Sequence, residues 1–297
     1  MKIKHASYGD FSKITDFLTL IFPEDDPKYY SGFLYNDQLF NPDRVFYIEE
    51  DNRVVSVLWS IPRIFKDGDS FVFSVGIANV GTHPEYRGKG YATTLMKYVI
   101  SLAHTEGANF VILVTGIPEY YRKYGFFNIG KNYVTINNND VLSDVSIRVA
   151  NIEDVVEVSN SIYCKLNLIV PLRNYSTLKS SLDWNRFSSH FVFKDSTANW
   201  YEITDSDRKR IFVYGVEKEK FYEVFEIVFN MDLDVKDVKL LLNGLSFVKK
   251  KFVRIFAHRS LLEKLKLNYE DDNETVMCLE IKTIDLNRLF LPVTDYF

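Results

Sequence analysis

Residues 80–92 of this chain read VGTHPEYRGKGYA, and the segments on either side of them decide the fold. An apolar run with the composition of a β-strand ends at Thr82. Beyond Gly90, apolar residues recur with the 3.6-residue period of an amphipathic helix. These residues are Tyr91, Leu95, Val99 and Leu102. The sequence therefore predicts a strand, a glycine-containing turn and a helix in direct succession.

A turn of this kind is an anion-binding site for simple physical reasons. The first N–H groups of a helix have no partner inside the helix, and the positive end of the helix dipole lies there. Gly88 and Gly90 lack a Cβ atom, so the backbone can come close to a diphosphate. Arg87 and Lys89 add positive charge at the rim. We expect the backbone amides from Gly88 to Ala92 to bind a pyrophosphate.

The elements around this turn predict a domain of the α/β class. Its sheet would be mixed, as in α+β folds, with antiparallel and parallel strands. The apolar pattern predicts strands over residues 44–49, 54–65, 71–82 and 110–115, and helices over residues 11–22, 27–40 and 88–105. The strand over 110–115 is almost continuously apolar, as expected for a strand buried on both faces. Long antiparallel strands thus precede the turn, and a helical crossover follows it.

The two halves of the chain begin alike, which predicts two tandem domains of similar build. Residues 3–11 and residues 147–155 each combine a short strand, a small polar residue and an amphipathic helix. The polar residues, Ser7 and Asn151, are of the type that caps a helix, and an acidic residue follows each of them. The polar run 137–140 between the halves is a natural boundary. The expected domains are residues 1–140 and residues 141–297.

Composition argues against several classes of function. The 297 residues carry 36 basic and 40 acidic side chains, for a net charge of -4, and no basic stripe suits nucleic acid. Cys164 and Cys278 are far apart and the five histidines are scattered, so no metal-ligand spacing is present. No signal-peptide pattern occurs, and no apolar run approaches the roughly 20 residues of a membrane span. We expect a cytoplasmic protein without a metal, membrane or nucleic-acid partner; a homo-oligomer remains open.

A second segment, residues 118–126, reads PEYYRKYGF. Together with the opening strand and helix, and with residues 80–92 and their helix, it resembles the GCN5-related N-acetyltransferase (GNAT) superfamily. The strand, phosphate loop, helix, strand and tyrosine segment occur in the order and spacing of that family, and they cover most of residues 1–137. The resemblance implies an N-acetyltransferase that uses acetyl-CoA as a co-substrate.

The resemblance also implies roles for individual residues. The strand before the turn would offer backbone groups to the pantetheine arm, and the loop amides would bind the pyrophosphate. The hydroxyl of Tyr121 would lie near the thioester sulfur, with Tyr120 and Tyr124 as alternatives in the same segment. The residues assigned to the cofactor in this way are Val80, Gly81, Thr82, Arg87, Gly88, Lys89, Gly90, Tyr91 and Ala92.

The chemistry needs no covalent enzyme intermediate, because a neutral amine already attacks a thioester. We expect the enzyme to hold both substrates in one ternary complex and to stabilise the oxyanion with a backbone N–H between Val80 and Thr82. Tyr121 would protonate the departing thiolate as a general acid. The acceptor would be an amine of a small molecule or a peptide. The base stays open between Glu24, Asp25, Asp26, Glu119 and a chain of water molecules.

The second half repeats the architecture without this chemistry. After the strand predicted over residues 221–230, carboxylates that would repel a diphosphate replace the glycines. These carboxylates belong to Asp232, Asp234 and Asp237. An active first domain followed by a degenerate one resembles the Eis-like branch of the superfamily, here lacking the sterol-carrier-like third domain of that branch. There the C-terminal carboxylate reaches the active site, so Phe297 is a further candidate.

Two other functions remain open at this point. A non-catalytic acyl-CoA-binding sensor or scaffold protein could use the same fold, although a scaffold needs neither the glycine loop nor Tyr121. A peptidyl or aminoacyl transferase built on a related double domain is a weaker alternative. Turnover with a panel of amines separates the first alternative from an enzyme, and dependence on charged tRNA would reveal the second.

Overall fold

The computed structural model describes residues 1–37, 39–130, 132–136, 145–185, 195, 197–271, 276–292 and 295. The boundary segment 137–140 and Phe297 lie outside these ranges. The helices are α1 (Phe11–Ile21), α2 (Pro27–Asn36), α3 (Tyr91–Thr105), α4 (Pro118–Arg122), α5 (Ile152–Lys165), α6 (Tyr175–Asn185), α7 (Val235–Lys249) and α8 (Arg259–Lys264). The strands are β1 (Lys4–His5), β2 (Val45–Glu50), β3 (Arg53–Asp67), β4 (Ser70–Thr82), β5 (Phe110–Val114), β6 (Phe127–Asn128), β7 (Asn132–Ile136), β8 (Val145–Val149), β9 (Ile169–Pro171), β10 (Asn199–Asp205), β11 (Arg210–Glu217), β12 (Phe221–Phe229), β13 (Phe252–Ala257), β14 (Glu270–Asp271) and β15 (Val276–Glu280).

The first sheet has the strand order β1-β2-β3-β4-β5-β15-β6, and β9 also pairs with β3. β1 to β4 run antiparallel, and β5 is parallel to β4 after the crossover through α3. The predicted strands of the first half are confirmed to within two residues. Helix α2 was predicted to reach Phe40 but ends at Asn36, because Asp37 has an extended backbone and its carboxylate accepts a hydrogen bond from Arg63.

The second sheet repeats this plan in the order β14-β7-β13-β12-β11-β10-β8. Antiparallel strands β8, β10, β11 and β12 come first, and β13 is parallel to β12 after the crossover through α7. Asn151 caps α5 as predicted, because its side chain accepts a hydrogen bond from the backbone N–H of Glu153. The prediction of two mixed α/β units in tandem is thus confirmed.

Each half of the chain contributes strands to the sheet of the other half: β7 joins the second sheet, and β15, like β9, joins the first. β7 comes before the predicted boundary, yet it pairs with β13 in the second sheet, where Val134 lies opposite Ile255. β15 comes from the far end of the chain and pairs with β5 in the first sheet, where Cys278 lies opposite Ile112. A single cut near residue 140 therefore does not separate the two sheets, and each sheet needs both halves of the chain to be complete.

Aromatic packing holds the first two helices against the first sheet. Trp59 of β3 is fully buried, and its ring lies 5.2 Å from Phe33 and 6.1 Å from Tyr30, both on α2. Phe11 at the start of α1 lies 5.7 Å from the same tryptophan. The opposite face of the sheet is covered by α3 through residues such as Leu95, so the sheet is buried on both sides.

No helix in the described part of the chain is long and apolar enough to cross a membrane.

Candidate active site

The candidate site begins where β4 and β5 separate. The two strands pair from Ser74 opposite Phe110 as far as Ile77 opposite Leu113. β4 continues to Thr82, so residues 78–82 have no partner on the β5 side. Backbone N–H and C=O groups in such a gap can pair with an extended ligand instead of a strand. The predicted pantetheine-binding residues, 80–82, lie in this gap.

The end of α1 packs directly against this part of β4. A Cβ atom on Gly81 would lie 3.1 Å from Cγ2 of Ile21, so a larger residue would require the Ile21 side chain to shift by a few tenths of an ångström. On the other side of β4, the Ser56 hydroxyl donates a hydrogen bond of 3.0 Å to the carbonyl oxygen of Gly81. These contacts fix the gap and bring the segment after Ile21, which carries the predicted acidic residues, to its edge.

The predicted phosphate loop forms an open turn at the N-terminus of α3. Gly88 has a φ of 78° and Gly90 a φ of 84°, values that favour glycine, and a Cβ atom at either position would point into open space. Helix α3 begins at Tyr91 rather than Gly88 for this reason. Thr94 is the first residue of α3 whose amide donates a hydrogen bond to the loop, and its acceptor is the carbonyl oxygen of Gly90. The amides before Thr94 at the helix start therefore have no intrahelical acceptor.

Three side chains of the loop already have partners in the protein. Nε of Arg87 donates a hydrogen bond of 3.3 Å to the carbonyl oxygen of Thr82, which ties the loop to the end of β4. Nζ of Lys89 lies 4.4 Å from the ring centroid of Tyr86. Tyr91 is buried, and its hydroxyl donates to Glu50 over 3.1 Å. Contact of these three residues with a cofactor stays a prediction.

Tyr121 lies on α4, which begins four residues after the end of β5, and its side chain is buried. Burial, with the nearby Tyr124, raises the pKa of Tyr121 to about 12, although a hydrogen bond with Thr115 acts in the opposite direction. The hydroxyl therefore keeps its proton at neutral pH. A neutral phenol is the form that can protonate a thiolate.

The other tyrosines of the segment connect α4 to α3. The hydroxyl of Tyr124 bonds to Oγ1 of Thr93 over 3.0 Å and to the hydroxyl of Tyr120 over 3.3 Å. Burial also raises the pKa of Tyr120. Lys123 lies 4.1 Å from the ring centroid of Tyr120. The tyrosine segment and the phosphate loop therefore lie side by side at the same end of the sheet.

The candidate bases differ in how far the protein already uses them. Asp26 caps α2 by accepting from the amide of Lys28, and Asp25 accepts from the Tyr30 hydroxyl. Glu119 is exposed and pairs with Arg122. Glu24 is exposed and forms no hydrogen bond or ion pair within the described residues. Nor do the described acidic, histidine and cysteine residues include a group of three that could hold a metal ion.

A cavity of about 210 Å³ lies between the two halves, away from the gap in the first sheet. Arg63 of β3 and Asn174 before α6 are among the residues that line it. Arg63 lies opposite Ser74, at the start of the paired part of β4 and β5. The cavity thus borders the paired part of the first sheet rather than its open end.

The corresponding gap of the second sheet is filled. β12 and β13 stop pairing at Val224 opposite Ile255. The buried ring of Phe290 and the ends of both strands line a space too small for a water molecule, and this ring lies 5.8 Å from the ring of Tyr163. At the start of α7 the side chain of Asp234 accepts a hydrogen bond from the amide of Asp237. The Asp234 carboxylate therefore occupies the position that a phosphate would take. These contacts agree with a degenerate second domain.

A buried ionic cluster holds the tail in this place. Arg173 donates to Glu226 over 2.9 Å and to Asp295 over 2.8 Å, and Tyr163 also donates to Glu226. Arg173 is 4% exposed and Glu226 is 1% exposed. Burial raises the pKa of Asp295, while Arg173 acts to lower it. The tail is therefore anchored in the second half through charges that water does not screen.

The sequence of the first half matches a known domain family. Residues 2–129 match the family described as the acetyltransferase (GNAT) domain. This range includes the gap between β4 and β5, the phosphate loop and the tyrosine segment. No curated protein matches the sequence.

Solved structures resemble the whole chain rather than its first half alone. A conserved protein of unknown function from Enterococcus faecalis V583, a probable N-acyltransferase, has 15% identity and a TM-score of 0.70, covering 95% of this chain and 73% of its own. A GCN5-related N-acetyltransferase from Kribbella flavida has 18% identity and a TM-score of 0.66, covering 93% and 70%. Eis1 from Mycobacterium abscessus has 11% identity and a TM-score of 0.57, covering 95% and 74%. At such identities the likeness shows the fold, and with the domain match it confirms the predicted resemblance to tandem GNAT proteins.

Proposed function

We propose that this chain, whose first domain belongs to the GNAT superfamily, transfers an acetyl group from acetyl-CoA to an amine by direct attack within a ternary complex. One observation carries the proposal. The open gap beside residues 78–82, the amides at the start of α3 and the buried hydroxyl of Tyr121 lie together at one end of the first sheet. Each supplies a different requirement of the reaction.

The gap and the loop together suit the shape and charge of CoA. The pantetheine arm would extend along residues 78–82 and pair with the backbone groups that face the gap, as a strand would. The pyrophosphate would bind the amides between Gly88 and Ala92, where the helix dipole and Lys89 favour negative charge. The positive φ values of Gly88 and Gly90 and the open space beside their α-carbons support this arrangement, because they let a ligand approach the backbone closely.

The reaction then needs few protein groups. The amine nitrogen attacks the thioester carbon, the C–N bond forms and an electron pair moves to the carbonyl oxygen, which a backbone N–H between Val80 and Thr82 stabilises. When the C–S bond breaks, the sulfur leaves as a thiolate and takes the proton of Tyr121. The raised pKa of Tyr121, about 12, supports this role, because the hydroxyl stays protonated at neutral and mildly alkaline pH.

The attacking amine must also lose a proton, and Glu24 is the best-placed candidate of the acidic segment. Asp26 is used as a helix cap and Asp25 is bonded to Tyr30, whereas Glu24 has no such partner among the described residues. The segment starts next to Ile21, which touches Gly81 in the gap. A carboxylate there would also attract a cationic amine. The acceptor is a small-molecule or peptide amine.

Two measurements on the purified protein test the proposal. Calorimetry with acetyl-CoA should give one site per chain, because Phe290 and Asp234 fill the second cleft. Thiol release should then be followed with a panel of polyamines, amino-sugar amines and peptides. Release that requires an amine, with the acetyl group found on that amine by mass spectrometry, supports the transferase. Tight binding without release from any acceptor would favour the acyl-CoA sensor, and no binding at all would contradict both.

A further inference from the structure

Asn79, on the unpaired part of β4, is the residue that bends this strand. The pairing of β4 with β3 runs from Ala78 opposite Trp59 directly to Gly81 opposite Val57, so two β4 residues face a single residue of β3. Asn79 has a φ of 51°, in the left-handed region that asparagine tolerates better than most residues. A bulge of this kind leaves its extra residue outside the ladder and redirects the groups beside it.

The side chain of Asn79 is also left without a partner. Its Nδ2 atom is hidden from solvent and has no hydrogen-bond acceptor among the residues that the structure describes. A buried amide in this state costs about 1–3 kcal/mol, and native structures pair nearly all such groups. A few other side-chain atoms of the described residues share this condition, but Asn79 is the one that lies on β4. An unpaired donor beside an open cleft indicates that a ligand atom completes it.

The depth of Asn79 in the gap indicates which atom of the ligand it would meet. If the pyrophosphate binds at the loop and the pantetheine arm runs back along β4, the thioester, at the far end of the arm, lies deepest in the gap. Asn79 is three residues before Thr82, about 10 Å along the strand. Ile77, two residues before Asn79, is already paired with β5 and marks the closed end. A carboxamide N–H is a donor, and the thioester carbonyl oxygen is the acceptor at this depth.

We propose that the carboxamide of Asn79 donates a hydrogen bond to the carbonyl oxygen of the bound acetyl thioester. It would form a second oxyanion donor beside the backbone N–H that follows the bulge. This inference rests on the proposed acetyl transfer and adds a residue to it. Asn79 thus has two functions that substitution can separate: a backbone function that glycine can replace and a donor function that glycine cannot.

Two substitutions of Asn79 make that separation, and a third substitution elsewhere is the control. Asn79→Gly keeps the left-handed backbone and removes the carboxamide. Asn79→Asp keeps the shape and the tolerance of positive φ but replaces the donor with a carboxylate. Asn52→Gly is the matched control, since Asn52 also has a positive φ, of 60°, and lies in the exposed turn between β2 and β3. Thermal unfolding of all three verifies that they are folded.

The decisive readout does not need turnover. Acetyl-CoA labelled with ¹³C at the thioester carbonyl is bound without any amine, and its carbonyl stretch is measured by difference infrared spectroscopy. We expect a shift to lower frequency on binding to the natural protein and to Asn52→Gly, and a smaller shift with both Asn79 variants. With an amine present, kcat should fall about 10²–10³-fold in Asn79→Gly while the dissociation constant of acetyl-CoA stays within about threefold. Asn79→Asp should be slower still.

Several results would overturn the inference. One is an unchanged carbonyl shift with an unchanged kcat in Asn79→Gly. Another is a large loss of acetyl-CoA affinity at constant kcat, which would assign Asn79 to the pantetheine arm. The same holds if the natural protein transfers acetyl groups but shows no carbonyl shift. If the natural protein binds no acetyl-CoA, the proposed function itself fails and this inference fails with it.

Discussion

The hydroxyl of Tyr124 donates a hydrogen bond to Oγ1 of Thr93 over 3.0 Å, and so connects the tyrosine segment to the first turn of α3. Thr93 directly follows the loop, where a Cβ atom at Gly88 or Gly90 would point into open space. Tyr121 lies on the same short helix, α4, as Tyr120, which also bonds to Tyr124. The proposed proton donor and the proposed phosphate site are therefore held in a fixed relation by neighbouring side chains.

The first prediction concerns the hydroxyl of Tyr121. Tyr121→Phe keeps the buried ring and removes the proton, so we expect kcat to fall about 10²-fold or more with little change in acetyl-CoA affinity. Steady-state kinetics and calorimetry measure the two quantities. Tyr98→Phe is the control, since this tyrosine on α3 bonds to His5 and lies outside the proposed site. Equal turnover in the two variants would remove Tyr121 from the mechanism.

The second prediction follows from the pKa of about 12 that burial gives Tyr121. The reaction needs the protonated hydroxyl, so activity is lost only as the pH rises through that raised value. We expect kcat to show no fall up to about pH 10, where an ordinary tyrosine would be half ionised. A pH–rate profile of kcat, with protein stability monitored at each pH, measures this. A descending limb below about pH 10 that is absent in Tyr121→Phe would contradict it.

The third prediction isolates the shape of the phosphate loop. An alanine at Gly90, whose φ is 84°, meets no neighbour but must adopt a left-handed backbone at about 1–2 kcal/mol. We expect Gly90→Ala to relieve this strain by moving the loop amides, and so to weaken acetyl-CoA binding tenfold or more, by roughly 1.4 kcal/mol.

Gly68→Ala is a matched control for this change. Gly68 has a φ of 57°, has equal space around it and lies in the turn between β3 and β4, far from the loop. Both variants should lose similar stability in thermal unfolding, and only Gly90→Ala should lose affinity in calorimetry. Equal affinities would mean that the loop amides do not bind the pyrophosphate.

The sequence predicted more of the local structure than of the long-range pairing. Periodicity places α3 and β5 to within three residues, because the buried faces of these elements follow from their own residues. The exchange of β7 and β15 has no such local signal, since short apolar strands suit either sheet and only tertiary packing decides. The bulge at Asn79 was missed for a similar reason. The asparagine within an apolar strand was the one signal that could have revealed it.

The fourth prediction concerns the ionic cluster that anchors the tail. Arg173→Met leaves the carboxylate of Glu226 buried without its cation, which we expect to lower the free energy of unfolding by about 3–5 kcal/mol. Lys179→Met removes an exposed pair with Asp183 and should cost no more than about 0.5 kcal/mol. Chemical denaturation measures both. Adding Glu226→Gln to Arg173→Met should recover part of the loss, and a double variant no more stable than the single one would argue against an uncompensated charge.

The fifth prediction uses the two cysteines to test the exchanged strand. Cys164 is exposed, whereas Cys278 on β15 is fully buried between β5 and β6, and burial raises the pKa of its thiol. We expect one thiol per chain to react at once with an aromatic disulfide and the other to react at least about a hundredfold more slowly, at the rate at which β15 opens. Cys164→Ser should abolish the fast phase, Cys278→Ser should leave it intact, and denaturant should make both thiols fast. Two fast thiols in the folded natural protein would mean that β15 is not held in the first sheet, and that the sheet beside the proposed acetyl-CoA site is completed in some other way.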